Sequence, residues 1–150
     1  MKLTEERVIA APPEVVWAGI LDAEVLKECI PGCQELTGNA DDGFEATVVQ
    51  KVGPVKATFK GAVTLSDIEP GVGCRLEGQG KGGAAGFAKG GATVRLEPEG
   101  DSTRLFYDVD ASVGGKLAQL GSRLIDSFSK KLADQFFTKF QDVMEERAKG

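Results

Sequence analysis

A chain of 150 residues is long enough for one domain with one sizeable core, residues 1–150, and too short for two ordinary domains. Its 18 basic and 23 acidic residues give a formal net charge of -5, and no block of clustered lysine and arginine interrupts the sequence. Nucleic acid is therefore not an expected partner, because phosphate neutralisation needs such clusters.

Lys2 to Ala10 begins with alternating polar and apolar residues and stops before Pro12 and Pro13, as a first strand would. Pro13 suits the first turn of a helix whose apolar stripe is Val15, Val16, Ala18, Gly19 and Ile20, with Trp17. Asp22 is the N-cap expected for a second short helix, Ala23 to Cys29, ended by Pro31-Gly32.

From Gln34 onward the apolar period falls to two, the spacing of strands. Phe44, Ala46, Val48, Gln50 and Val52 share one face. After a turn at Gly53-Pro54, Val55, Ala57, Phe59, Gly61, Val63 and Leu65 do the same. Glu69-Pro70-Gly71 turns into a strand with Cys74, Leu76 and Gly78 inward. Ala92, Val94 and Leu96 resume that row beyond a glycine-rich run, and Leu105, Tyr107, Val109, Ala111 and Val113 complete it after Glu99-Gly100-Asp101.

Beyond Gly114-Gly115, Leu117, Leu120, Leu124, Phe128, Leu132, Phe136, Phe140 and Val143 recur in steps of three and four. They predict one stripe of a long amphipathic helix. Laid on the apolar face of an antiparallel sheet, that helix gives a two-layer α+β domain.

The complete absence of histidine removes Ser-His-Asp and Cys-His nucleophilic sites and most zinc sites together. Cys29, Cys33 and Cys74 are odd in number and no secretory segment opens the sequence, which fits ordinary thiols in a reducing cytoplasm. No apolar run approaches the roughly 20 residues of a membrane-spanning helix, so any membrane contact is expected to be peripheral.

Seven glycines fall between Gly78 and Gly91. Gly78, Gly80 and Gly83 satisfy G-x-G-x-x-G, but a dinucleotide fingerprint must open a helix, and this run leads back into strand-like residues. Lys81 is followed by Gly82 and Gly83, where a Walker loop needs Ser or Thr. Two readings remain: a flexible connection between strands, or glycines that strip side chains from the sheet.

On the second reading, Gly61, Gly78, Gly90, Ala92 and Ala111 leave volume missing from the inward rows. A cavity is then expected, walled by Phe59, Leu76, Leu117, Leu120 and Leu124, with Phe87 on a hinged Gly82 to Gly91 loop as its lid. Gln50 and Tyr107 are its main polar groups, suited to orienting a ligand carbonyl rather than to acid-base catalysis. Lys81, Gly82, Gly83, Gly86, Phe87 and Lys89 form a loop expected to face a membrane or a partner protein.

Four stretches carry a resemblance: Cys29-Ile30-Pro31-Gly32-Cys33, Val52-Gly53-Pro54-Val55-Lys56, the run from Gly80 to Gly90, and that from Gly115 to Ile125. Together they resemble the G-subunit family of carbon monoxide dehydrogenase, of the START-like (SRPBCC) superfamily, over nearly the whole chain. The resemblance implies a helix-grip fold: a curved antiparallel sheet of about seven strands wrapped on a long C-terminal helix, with two short helices after the first strand. It also implies a non-catalytic accessory protein of a molybdenum hydroxylase of the carbon monoxide or xanthine dehydrogenase kind.

Such proteins are linked to recruiting the enzyme to the inner face of the cytoplasmic membrane. Members that associate with membrane often carry an extra C-terminal segment, whereas this sequence stops at Glu145-Glu146-Arg147-Ala148-Lys149-Gly150. The fold's usual activity, holding an apolar small molecule between sheet and helix, agrees with the cavity expectation. A quinone or lipid is the expected ligand, aiding recruitment or electron transfer, with no tightly bound cofactor and no metal. The alternative is a maturation or docking protein for the hydroxylase, with an incidental cavity.

Overall fold

Two prolines set the first corner of the chain. In the computed structural model, which describes Met1–Gly150, strand β1 (Lys2–Ile9) ends just before them and helix α1 (Pro13–Ile20) begins on Pro13. Helix α2 (Ala23–Cys29) follows, capped as expected by Asp22, whose Oδ1 accepts from the Glu24 amide at 2.9 Å. The chain then meanders through β2 (Cys33–Asn39), β3 (Gly43–Val52), β4 (Val55–Glu69), β5 (Gly73–Lys81), β6 (Phe87–Glu99) and β7 (Ser102–Gly114). Helix α3 (Ser122–Lys149) ends it.

The strands form one sheet in the order β1-β7-β6-β5-β4-β3-β2, with every neighbouring pair antiparallel. Five hairpins join β2 to β7, and only the β1–β7 pair closes over a long sequence separation. On β4 the alternation is strict from Val55 to Ser66: apolar residues and Gly61 half-buried, Lys56, Thr58, Lys60, Ala62 and Thr64 exposed. The inward face grips α3, so the helix-grip arrangement is present.

The end of α3 nearest its C-terminus is firmly seated. Phe137, Phe140 and Met144 are buried among Ile9, Val16, Val25, Leu96, Leu105 and Tyr107. Gly19 lets α1 approach, since a Cβ there would collide with the Met144 thioether. Polar ties add to the packing: Glu145 accepts from the Ala10 amide at 2.9 Å, and Gln141 donates to the Val8 carbonyl at 3.1 Å. No helix is long and apolar enough to cross a membrane.

Asp22 joins two of these devices, because its Oδ2 also accepts from Arg147 at 2.9 Å. The Arg147 hydrogen bond is the largest influence on its carboxyl and holds it below the ordinary aspartate value. A depressed folded value means stability that is present above the unfolded value and fades as pH falls through the folded one. Asp22→Ala is expected to cost about 1 kcal/mol at neutral pH. In urea titrations that deficit shrinks on acidification below the ordinary aspartate range; a deficit independent of pH contradicts the assignment.

Two expectations need correction here. The glycine run is not a long hinged loop: Gly78 and Gly80 lie within β5, Gly90 and Gly91 within β6, and the hairpin connection is only residues 82–86. Its backbone is paired on both sides, with Gly82 donating to the Gly86 carbonyl at 2.8 Å. The predicted helical stripe is also broken. Gly115–Leu120 forms a short 3-10 helix and Gly121, at φ +94°, redirects the chain before α3 starts, so the helix phase resets.

Candidate ligand cavity

Between the inward face of the sheet and the first half of α3 lies a cavity of about 470 Å³, within the range of small-molecule sites. Of its 39 lining residues 27 are hydrophobic, which makes it a place for an apolar molecule rather than for ions. Ile125, Phe128, Leu132 and Phe136 line it from the helix; Val48, Phe59, Leu76, Ala92 and Val109 line it from five successive strands. The buried trio Val52, Leu117 and Ile125, with Phe59 and Leu120 packed against it, closes one end.

Of the residues expected to bind ligand, Gln50, Phe59, Gly61, Leu76, Gly78, Ala92 and Leu117 are brought together in this lining. Leu120 packs behind the wall. Leu124 is 38% exposed and covers the β3–β4 turn at Gly53, because the helix starts after Gly121 in a different phase from the one the stripe assumes.

Phe87 is not among the lining residues. It pairs with Lys81 while Gly78 pairs with Gly90, so strand alternation puts its ring on the outer face, over Gly114 and 46% exposed. A lid on the cavity is therefore not the position it occupies. Lys81, Gly82, Gly83 and Gly86 also stand outside the lining. Lys89 borders it, but the same alternation sends its side chain outward, into a polar depression shared with Arg75, Glu77 and Asp110.

Tyr107 does not face the cavity either. Its ring is 2% exposed and stacks on Phe137 with centroids 3.8 Å apart and planes at 12°. The hydroxyl accepts from Arg7 at 3.2 and 3.3 Å and donates to Glu5 at 3.2 Å, so its hydrogen bonds are used inside the protein. Burial raises its pKa, and the Arg7 guanidinium opposes that shift.

Gln50 is the polar group the sheet delivers to the wall. Its Nε2 donates to the Pro31 carbonyl, at the corner between α2 and β2. That bond fixes the amide, because a flipped Gln50 would set oxygen against oxygen. No protein donor reaches Oε1, so the amide presents an acceptor to the cavity rather than the carbonyl-orienting donor the sequence suggests. Ser129 is a second polar lining residue, and sequence reasoning missed it. It sits four residues after Ile125 and three before Leu132, on the inward stripe of α3.

The glycines divide by role. A Cβ on Gly78 would meet only Val63 Cγ2 at 3.4 Å and the Ala62 carbonyl oxygen at 3.5 Å, so this residue leaves real volume empty. Gly61 is different: its Cβ would collide with the Gln79 carbonyl oxygen and stand 2.8 Å from the Gly80 Cα. Close strand approach, not cavity space, demands that glycine.

Titratable chemistry within reach is slight. Cys29 and Cys74 are free thiols pushed up to about 11, by burial above all. No three histidine, cysteine, aspartate or glutamate side chains gather closely enough to hold a metal ion.

The profile of the CoxG family, described as the G subunit of carbon monoxide dehydrogenase, matches residues 5–145. The chain belongs to this family. A conserved protein from Geobacillus kaustophilus is similar to this CoxG-family chain at 28% identity and TM-score 0.87, over 97% of this chain and 96% of its own. The Zhui aromatase/cyclase from a Streptomyces species shares the fold at 13% identity and TM-score 0.69, over 98% and 94% of the two chains. Ara h 8.0201 does so at 16% and 0.63, over 97% and 98%. No curated protein matches the chain in sequence. The likeness to the last two structures establishes the START-like helix-grip fold alone, and that fold includes at least one enzyme.

Proposed function

We propose that this CoxG-family protein is a non-catalytic carrier. It holds an apolar small molecule, a quinone or lipid, in the sheet-helix cavity and serves a molybdenum hydroxylase of the carbon monoxide dehydrogenase kind. The observation that carries the reading is the cavity itself: about 470 Å³ of apolar-lined space, with Gln50 presenting a single fixed acceptor. Filling that space removes apolar surface from water at roughly 25 cal/mol per Å², the driving force for uptake. The family's name supplies the enzyme system, and a carried quinone would link a soluble hydroxylase to an electron acceptor in the membrane.

The free Oε1 of Gln50 favours a ligand head that can donate. A short-chain ubiquinol, with two hydroxyls, is therefore expected to bind roughly tenfold tighter than the corresponding quinone, the worth of about one hydrogen bond. Thermal shift under anaerobic conditions reads both affinities. Gln50→Leu is expected to abolish the difference while retaining binding of the apolar ring and tail. If neither form shifts the melting temperature, the carrier reading fails; if both bind equally to the unaltered protein, the Gln50 assignment fails.

A further inference from the structure

The side chains that reach the cavity are apolar except at one level. β3 runs from Phe44 to Val52 with its even-numbered residues inward, and α3 runs back over it. Ile125 belongs to the cluster of Val52 at one end, and Phe136 packs against the cluster of Leu36 and Phe44 at the other. Gln50 stands two residues before Val52, about 7 Å along the strand; Ser129 stands four residues after Ile125, about 6 Å along the helix. The two therefore line the cavity at one level, Gln50 on the sheet wall and Ser129 on the helix wall. Gln79, Lys89, Asp110 and Ser112 also border the cavity, but strand alternation points their side chains to the outer face.

Both groups are free to bond a ligand. Ser129 is half-buried and its hydroxyl has no partner within the protein, yet no sealed-off polar side-chain atom of the fold lacks one. That oxygen is therefore reachable, and the space it borders is the cavity, as for Oε1 of Gln50. The two differ in what they can bond. With its amide nitrogen held by the Pro31 carbonyl, Gln50 only accepts, whereas a serine hydroxyl donates or accepts by rotating.

Aromatic surface lies beside this polar pair. Phe59 and Phe128 pack against the cluster of Val52, Leu117 and Ile125 that closes this end, and both line the cavity. The glycine run seats Phe59 there: a Cβ on Gly82 would stand 2.6 Å from its ring, and one on Gly80 would stand 3.4 Å from its Cβ. A planar head placed between the two walls thus meets ring faces or edges as well as hydrogen-bonding groups.

We propose that Ser129 and Gln50 select, as a pair, a planar head with oxygens on opposite edges, and that Ser129 is the residue that holds its oxidised form. The inference rests on the carrier reading and narrows its ligand to the quinone class, because an acyl lipid would leave the aromatic surface and one wall unused. A carbonyl facing Gln50 sets acceptor against acceptor and gains no bond; a carbonyl facing Ser129 accepts from its hydroxyl. The two hydroxyls of a quinol bond at both walls. The helix wall therefore retains the ligand in either redox state, while the sheet wall adds affinity for the reduced one.

Anaerobic thermal shift of the full chain with three probes tests the pair: short-chain ubiquinone, the corresponding ubiquinol, and hexylbenzene, which has a ring and a tail but no oxygen. Ser129→Ala favours the helix, so the fold is expected to stand. It is expected to weaken ubiquinone and ubiquinol roughly tenfold each, the worth of about one hydrogen bond, while the preference for ubiquinol persists and hexylbenzene binds as before. Unaltered ubiquinone affinity in Ser129→Ala overturns the proposal. Equal weakening of all three probes also overturns it, since that marks Ser129 as a packing residue, and so does loss of the ubiquinol preference in this variant, since that puts the discriminating bond on the helix. Hexylbenzene binding beside an indifferent Ser129→Ala leaves the cavity standing and removes the pair. No shift with any probe in the unaltered protein removes the carrier reading and the pair with it.

Discussion

Gly78→Leu is expected to remove ligand binding while leaving the fold standing. Gly78 has an ordinary backbone conformation and room for a Cβ at ordinary contact distance, with nothing nearer than Val63 Cγ2 at 3.4 Å. An isobutyl group there points from β5 into the cavity and occupies the volume a ring or tail would need. Affinity for the short-chain ubiquinol is expected to fall roughly a hundredfold, about 3 kcal/mol. Melting temperature in the absence of ligand is expected to hold or rise, because filling a void recovers packing. A variant that binds as tightly as the parent would place the ligand elsewhere.

Gly61→Ala, a far smaller change on the same inward face, is expected to do the reverse. The added methyl meets backbone on the neighbouring strand, the Gln79 carbonyl and the Gly80 Cα, and backbone cannot swing aside as a side-chain tip does. Overpacking of this kind costs about 1–3 kcal/mol. At roughly 2–4 °C per kcal/mol for a chain of this size, the melting temperature falls by about 2–12 °C. The surviving folded fraction keeps its ubiquinol affinity, since one methyl barely alters the cavity. Wild-type stability in Gly61→Ala would show that the β4–β5 approach is looser than the structure has it.

The contrast between these glycines marks where sequence reasoning stops. Composition and parity treat Gly61 and Gly78 alike, as missing inward volume; only the distance to the adjacent strand separates them. Elements governed by local rules are legible: Pro13 opening α1, Asp22 capping α2, and the period-two rows of β3 and β4 with Gln50 and Phe59 inward. The glycine run is harder because glycine weakens strand propensity and offers no alternation to set a phase. The row Ala92, Val94 and Leu96 does set a phase, and carried back through Gly90 it puts Phe87 outward; reading the run as a loop rather than as strand is what hid this.

Long-range partners are invisible for a different reason. Tyr107 is on an inward row, as its spacing suggests, but its hydroxyl is taken by Arg7, a hundred residues earlier. Leu120 and Leu124 fit the helical spacing, and the φ of +94° at Gly121 is what removes them from the stripe. Ser129 is legible in principle, as the lone hydroxyl between Ile125 and Leu132 on an apolar face.

The most direct test of the central claim is organic extraction and mass spectrometry of the gently purified protein, beside Gly78→Leu expressed in the same cells. The cavity account predicts an apolar molecule with a hydrogen-bonding head, near one per chain in the unaltered protein and absent from the variant. Finding no such molecule in the unaltered protein, or equal amounts in both, would contradict it.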